Sequence, residues 1–256
     1  MYRAIAPMEM EMKTVKVEVW SDFVCPWCWI AKKRFEKAVN SLAGQVQVVV
    51  TNKAYRLAKG MRPMDYKAAL HQKLGGAAGA DRMMTAVSTN GLLEGLVYNF
   101  DTMRFGDTTA AHALIKSISS PADAELVAER VYKAATTDGL NIFDQDVLAS
   151  LAKEVGVTDT LFEFDSARVS AEIERDEMEA SRIANGVPLF LFNGKVYVSG
   201  AQEAGVFERA ILDAAREMPE AMIGASEGES CGIERAILDA AREMPEAMIG
   251  ASEGES

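Results

Sequence analysis

Residues 13–28 constrain this chain more than any other stretch. Lys13–Trp20 (KTVKVEVW) is valine-rich and alternates apolar with polar residues, which predicts a strand. Cys25-Pro26-Trp27-Cys28 follows closely and opens a helical pattern that runs to about Leu42. The N-terminus of a helix presents unpaired N–H groups and about half a positive charge, so an anion is favoured there. The first sulfur of the pair is therefore expected as a thiolate below the ~8.5 at which free cysteine titrates. Positions three apart on a helix lie about 5–6 Å from one another, and a disulfide needs its Cα atoms about 4.4–6.8 Å apart. Such a pair opens and closes with little backbone movement. Position assigns the roles: Cys25 at the helix mouth attacks, and Cys28, one turn inside, resolves the mixed disulfide. Pro26 suits the first helical position, where its missing N–H costs nothing. Trp27 is expected beside the sulfur, on a partly exposed rim.

Half of a zinc site is the chief competing reading of Cys-x-x-Cys. Tetrahedral zinc needs four protein ligands, or three and a water. The remaining candidates are Cys231, His71 and His112, all remote in sequence, so no metal is expected. A purely structural bridge is a poor alternative, because so short a loop constrains the unfolded chain only modestly.

A second signal lies at Gly186–Val198 (GVPLFLFNGKVYV). Leu189–Phe192 reads as a short buried strand, Asn193-Gly194 as a hairpin turn and Lys195–Ser199 as the return strand. The stretch after Gly200 reads as a helix. With a further strand over Val46–Leu57, the order becomes strand, helix, strand, long insert, hairpin, helix. This predicts an α/β chain with a thioredoxin-like fold, a mixed β-sheet with flanking helices, interrupted by a large all-helical insertion. The expected divisions are 13–60 and 186–218 for the two parts of the thioredoxin-like domain, 61–185 for the insertion and 219–256 for a tail.

The run Trp20-Ser21-Asp22-Phe23-Val24-Cys25-Pro26-Trp27-Cys28-Trp29-Ile30 can be taken with Gly186-Val187-Pro188 before a strand and Ser199-Gly200-Ala201-Gln202 before a helix. Together these resemble the DsbA-like thioredoxin superfamily, and within it the cytosolic FrnE-like branch of dithiol–disulfide oxidoreductases. The likeness spans about Val15 to Arg216. It implies that Pro188 is cis and lies against the sulfurs, and that Val187 and Pro188 line a groove where backbone pairs with a substrate polypeptide. The chain also departs from the family. The insert often carries Asn-Thr-x-x-Ala-His, and here Asp107–His112 reads DTTAAH. Tyr55–Gly60 lacks the usual Gln/Asn/Pro pattern, and 183–185 lacks an expected glycine.

Relatives of this branch include 2-hydroxychromene-2-carboxylate isomerase and the kappa-class glutathione transferases, in which a serine replaces the first cysteine and the chemistry runs on glutathione. This chain keeps both cysteines. The expected activity is thiol–disulfide exchange, as oxidoreductase or isomerase, on disulfide-containing peptides or proteins or on small thiols, with a thiol reductant system as partner. The alternatives are a glutathione-dependent isomerase or transferase, and a chaperone-like peptide-binding module without turnover. No cofactor is expected beyond glutathione as a co-substrate.

A net charge of −11, from 27 basic and 38 acidic residues, argues against nucleic acid and anionic membrane surfaces as partners. No apolar run approaches the ~20 residues of a bilayer span. Met1–Met12 holds one basic residue and lacks the apolar core of a signal peptide. The expected location is cytoplasmic, where Cys-x-x-Cys is more often redox-active than structural.

Between 61 and 185 helices dominate. Ala111, Leu114, Ile115 and Ile118 share one face. Ser120-Pro121-Ala122-Asp123 reads as a helix start, with Gly139 as its end. Asp144 opens another helix and Gly156 closes it, and Ser166 caps a long one toward Ile183. Gly75–Gly79 is expected as a flexible loop. Two residues of this region and the first strand bear on the site. Asp22 either relays a proton to Cys28 or shapes the strand-to-helix turn. His112 either approaches the sulfurs or sits as an interfacial histidine. Glu172, Glu174, Asp176, Glu177 and Glu179 are expected to form a solvated helix face.

The C-terminus is duplicated: Glu208–Ser230 and Glu234–Ser256 are identical over 23 residues. The first copy is expected as the terminal helix, with Ile211, Leu212 and Ala215 inward. The second, finding that site filled, is expected as a loose tail or as a helix swapped into a neighbouring chain to give dimers. Cys231 is expected as a bystander thiol.

Overall fold

The computed structural model describes residues 12–158 and 161–216. Strand β1 (Lys13–Ser21) leads into helix α1 (Pro26–Ser41), and β2 (Val46–Ala54) returns parallel to β1, pairing Lys13 with Val46 and Ser21 with Ala54. On the other side of β1 lies β5 (Leu189–Phe192), antiparallel, with Trp20 opposite Leu189. The hairpin partner β6 (Val196–Ser199) completes a sheet of order β2-β1-β5-β6. The hairpin turns where Asn-Gly predicts. Asn193 and Gly194 have φ of 49° and 72°, the two positive values that a type I′ turn demands. Asn193 also accepts the Lys16 N–H (2.9 Å) and donates to the Ala214 carbonyl (3.0 Å), which ties the turn to the last helix, α8 (Ala204–Arg216).

The alternation of β1 buries Val15 and Val17 completely. On the face covered by α1 and α8, Phe35, Phe190 and Phe207 converge, with ring centroids 5.2, 5.7 and 4.7 Å apart. Aromatic contacts of this kind add about 0.5–1.5 kcal/mol beyond the area they bury. The buried stripe of α8 is Phe207, Ala210, Ile211 and Ala214. Leu212 and Ala215, expected inward, are half-buried at its margin. The second copy, with Cys231 and the rest of 217–256, lies outside the described residues.

The insert runs through β3 (Met64–Asp65), α2 (Tyr66–Lys73), α3 (Ala77–Leu93), β4 (Arg104–Phe105), α4 (Thr109–Lys116), α5 (Pro121–Lys133), α6 (Gln145–Glu154) and α7 (Ala167–Ala180). It is mostly but not wholly helical, since β3 and β4 pair as a two-residue antiparallel ribbon, too short to leave an alternation in the sequence. The glycine-rich stretch is less open than expected: Gly76, at φ 121°, ends the turn, and Ala77–Gly79 already belong to α3. Ala111, Leu114, Ile115 and Ile118 are buried as their spacing predicts. Ser120, Asp144 and Ser166 each accept an N–H from the first turn of the helix they precede. Helix α5 continues through a π-helical turn, Ala134–Asp138, to the left-handed Gly139.

Helix α7 packs against β2 at the Trp20 end of the sheet. The Trp20 Nε1–H donates to the Asp176 carbonyl at 2.8 Å. The Asp176 carboxylate is buried, accepts the Ala54 N–H at 2.9 Å and lies 2.6 Å from Lys116 Nζ. Glu177 binds Arg56 (2.6 Å) and Glu179 binds Lys53 (2.8 Å). The acidic run expected as a solvated face is thus, at these residues, the seam between α7 and the sheet edge. Its cations come from segments far away in sequence. Among the described residues, no helix is long and apolar enough to cross a membrane.

Candidate active site

The site begins where β1 ends. The Asp22 carbonyl accepts the Cys25 N–H at 3.1 Å, which closes the turn into α1. Cys25 is then the N-cap residue in extended conformation, with Pro26 as the first residue of the helix. Side-chain caps and first-turn acids are both lacking at this end, so Cys25 holds the place that an anionic cap takes on other helices. The Cys28 N–H donates to the Cys25 carbonyl at 3.1 Å. Both thiols are free, and their side chains are hydrogen-bonded to one another. Burial pushes the Cys28 thiol well up, and the hydrogen bond to Cys25 and the charge on Cys25 push it further. Cys28 is therefore the sulfur that holds its proton.

Cys25 and Cys28 are 1% and 2% exposed, and Trp27, expected on a partly exposed rim, is only 8% exposed. The insert supplies the cover. The Tyr98 hydroxyl donates to the Pro26 carbonyl at 2.9 Å, and Trp29 meets the Tyr98 ring edge-on at 5.9 Å. From Tyr98 an aromatic wall continues through Phe100 (6.0 Å) and Tyr66 (5.9 Å) to Phe105 (6.2 Å). Tyr66 and Tyr98 both feel the charge of Cys25; burial, first of all, pushes both phenols up.

The Val187–Pro188 bond is cis, as the family resemblance implies, and both residues are buried. Pro188 and Cys28 line a groove of about 700 Å³ that is bordered by Val48 and Val50 of β2 and by Tyr132 of α5.

Asp22 and His112 both reach this region. Asp22 is wholly buried: one carboxylate oxygen accepts the Leu57 N–H at 2.7 Å, and the other accepts the Thr108 hydroxyl at 2.7 Å. Burial pushes the carboxyl up from 3.8 to about 6, against the pull of these hydrogen bonds. Its charge acts in turn on Cys28. Asp22 therefore shapes the turn and also faces the dithiol. His112 lies behind it, with Nε2 3.3 Å from the Tyr55 carbonyl and 3.9 Å from Asp22. Its ring is 5.1 Å from that of Phe23. Burial pushes the imidazole down to about 3, so it is neutral and interfacial.

Four residues near the dithiol escaped the sequence reading: Tyr66, Lys73, Tyr98 and Thr108. Thr108 sits within DTTAAH, so that block was itself a signal. Its leading Asp107 accepts the Gly60 N–H (2.5 Å) and the Thr109 N–H (2.8 Å), which pins the loop after β2 to α4. The other three reach the site only through docking of the insert, which no local pattern announces. Among the described residues, no three His, Cys, Asp or Glu side chains gather as a metal ion would require.

Fold and site together define a thioredoxin-like chain with a dithiol at a helix N-terminus and a cis-proline. Residues 16–212 match the DSBA-like thioredoxin domain, and the chain belongs to that family. It is 24% identical over 220 residues to the uncharacterized protein YwbO of Bacillus subtilis (strain 168), covering 78% of this chain and 97% of that one. The probable DsbA oxidoreductase SCO1869 from Streptomyces coelicolor superposes with a TM-score of 0.70 at 28% identity, covering 85% of this chain and 96% of that one. A 2-hydroxychromene-2-carboxylate isomerase shares the fold with a TM-score of 0.58 at 16% identity, over 78% and 96% of the two chains.

Proposed function

We propose that this chain is a thiol–disulfide oxidoreductase or isomerase of the DsbA-like class, with Cys25 as nucleophile and Cys28 as resolving thiol. One observation carries the reading: Cys25 caps a helix whose first turn holds no acid, while its hydrogen-bonded mate is buried and protonated. The Cys25 thiolate attacks a substrate disulfide, a bond forms to one substrate sulfur, and the other leaves as a thiolate. Cys28 then gives up its proton and attacks the Cys25 sulfur. The internal disulfide forms and the second substrate thiolate leaves, so that two electrons have passed to the substrate. Asp22, buried beside Cys28 and titrating near 6, is the base placed to take that proton. A solution thiol such as glutathione, as co-substrate, restores the dithiol by the same steps in reverse. Val187 and Pro188 line the substrate side, and the setting is the cytoplasm.

Cysteine at both Cys25 and Cys28 favours this reading over a glutathione-dependent isomerase or transferase, in which serine stands at the first of the two positions. The test is capture of intermediates by mass spectrometry. Reduced Cys28→Ser protein should accumulate a mixed disulfide at Cys25 with a disulfide-bearing peptide, and wild type should proceed to the internal disulfide. Cys25→Ser should form neither. Adduct formation at Cys28 in the Cys25→Ser protein, at the wild-type rate, would overturn the role assignment.

A further inference from the structure

The resolving sulfur faces a groove that the attacking sulfur does not. Cys28 lines the groove of about 700 Å³, and Cys25 is not part of its lining. The sheet supplies the floor through Val19, Val48 and Val50, and Phe35 of α1, Ile115 of α4 and Ala128 of α5 stand around it. A mostly apolar cavity of this size takes a small organic molecule. The charged side chains that line it are Lys32, Glu36, Lys53, Lys116 and Glu125, and each is already ion-paired. Lys32 binds Glu36 and lies 2.5 Å from Glu125, Lys53 lies 2.8 Å from Glu179, and Lys116 lies 2.6 Å from Asp176. His112, also in the lining, is neutral. A charged guest would lose hydration there without gaining a free counter-ion from these side chains.

Tyr132 is the exception to this satisfied lining. It is 2% exposed, and its ring is held parallel to Trp29 at 6.2 Å and tilted against Phe23 at 4.9 Å. Burial pushes its phenol well up, so the proton stays on. Ser21 shares the groove and lies beside the hydroxyl, favouring its ionised form as a donor does. No acceptor in hydrogen-bond geometry meets the Tyr132 O–H among the described residues. A buried donor without an acceptor costs free energy, and folded proteins keep few of them. An acceptor that arrives through the groove is therefore strongly favoured at this one point.

We propose that the groove beside Cys28 is a binding site for a neutral apolar molecule that carries a ketone-type carbonyl, with Tyr132 donating its hydroxyl proton to the carbonyl oxygen. The apolar body lies between the sheet floor and the helices, and the oxygen points to the buried end where Tyr132, Ser21 and Cys28 meet the groove. The guest shares a cavity with the resolving sulfur and not with the attacking one. Its binding is non-covalent and needs no thiol chemistry, so the outcome below leaves the oxidoreductase reading untouched.

The experiment is equilibrium dialysis of reduced full-length protein against two probes of nearly equal shape. 2-Acetylnaphthalene carries the carbonyl, and 2-isopropenylnaphthalene replaces its oxygen with a methylene group. Wild type should bind the ketone. Tyr132→Phe should weaken ketone binding about fivefold or more, the worth of one neutral hydrogen bond, and leave hydrocarbon binding within about twofold. Comparing each probe between the two proteins cancels their different hydrophobicity, and retained hydrocarbon binding shows that the variant is folded. Val50→Trp, which adds bulk at a half-exposed part of the lining away from the buried end, should weaken both probes. Wild type that binds no ketone up to its solubility limit overturns the proposal. So does a Tyr132→Phe variant that changes the two probes equally or not at all, as expected if water alone serves the hydroxyl. Unchanged binding of both probes to Val50→Trp places them elsewhere and overturns it too.

Discussion

Thr108 donates its hydroxyl to an Asp22 oxygen at 2.7 Å in a space that excludes solvent from both residues. Three donors converge on that carboxylate, from Thr108, Leu57 and Val24. The nearby His112 is neutral and offsets none of its charge. Burial therefore wins, and the carboxyl binds its proton more tightly in the folded protein than in the unfolded chain.

This makes stability depend on pH in a defined direction. A carboxyl raised from 3.8 to about 6 contributes about 3 kcal/mol of stability. The contribution is complete below the unfolded value and is lost as pH rises through the folded one. Asp22→Asn lacks the titration, although its amide costs stability at every pH by aiming N–H groups at donors. The difference in urea-unfolding free energy between wild type and Asp22→Asn should therefore shift by about 2 kcal/mol against wild type between pH ~4 and pH ~7. A pH-independent difference would show that Asp22 ionises in the fold as it does in the open chain.

The two thiols should react unequally. Burial and the hydrogen bond to Cys25 keep the proton on Cys28, and only a thiolate alkylates. Brief iodoacetamide treatment of the reduced native protein, followed by peptide mapping, should label Cys25 at least about tenfold faster than Cys28. In urea the two should converge. Equal labelling in the folded state would contradict the protonation pattern.

Features set by neighbours in sequence were legible, and those set by docking were not. The Asn193-Gly194 turn and the Ser120, Asp144 and Ser166 caps each depend on residues within about four positions. The junction that places Cys25 and Cys28 is equally local, and the cis bond before Pro188 came from a family likeness over a few residues. Tyr98 reaches Pro26 across 72 positions, and nothing in either segment encodes that meeting. Local sequence therefore predicts Trp27 on a partly exposed rim, whereas the docked insert buries it. Asp176 was misread for the same reason: as one acid among five it resembles a wet helix face, and only the fold brings Lys116 and the Ala54 N–H to it.

Asp176 should prove costly to remove. Truncation to alanine strands the Lys116 ammonium and the Ala54 N–H in a buried position. Breaking a buried pair from one side costs about 3–5 kcal/mol. Urea unfolding of Asp176→Ala at neutral pH should show a loss of that order. Glu172→Ala, on the same helix but paired with the exposed Arg168, should lose less than about 0.5 kcal/mol. Similar losses for both would mean that the acidic run is a solvated face after all.

The docking of α8 bears on the duplicated C-terminus. Phe207 is wholly buried against Phe35 and Phe190, and Ile211 beside it is equally buried. Phe207→Ala should cost about 3–5 kcal/mol through the cavity it leaves. Because the first copy of the repeat already contributes Ala210, Ile211 and Ala214 to that interface, its site is filled. The second copy is preceded by Ile233 where the first is preceded by Phe207, so in the same site it would offer the cluster no aromatic ring. Deleting Cys231–Ser256 should thus move the melting temperature by less than ~2 °C, which corresponds to less than about 1 kcal/mol in a domain of this size. A large fall on deletion, with Phe207→Ala nearly silent, would show that the second copy occupies the site in solution.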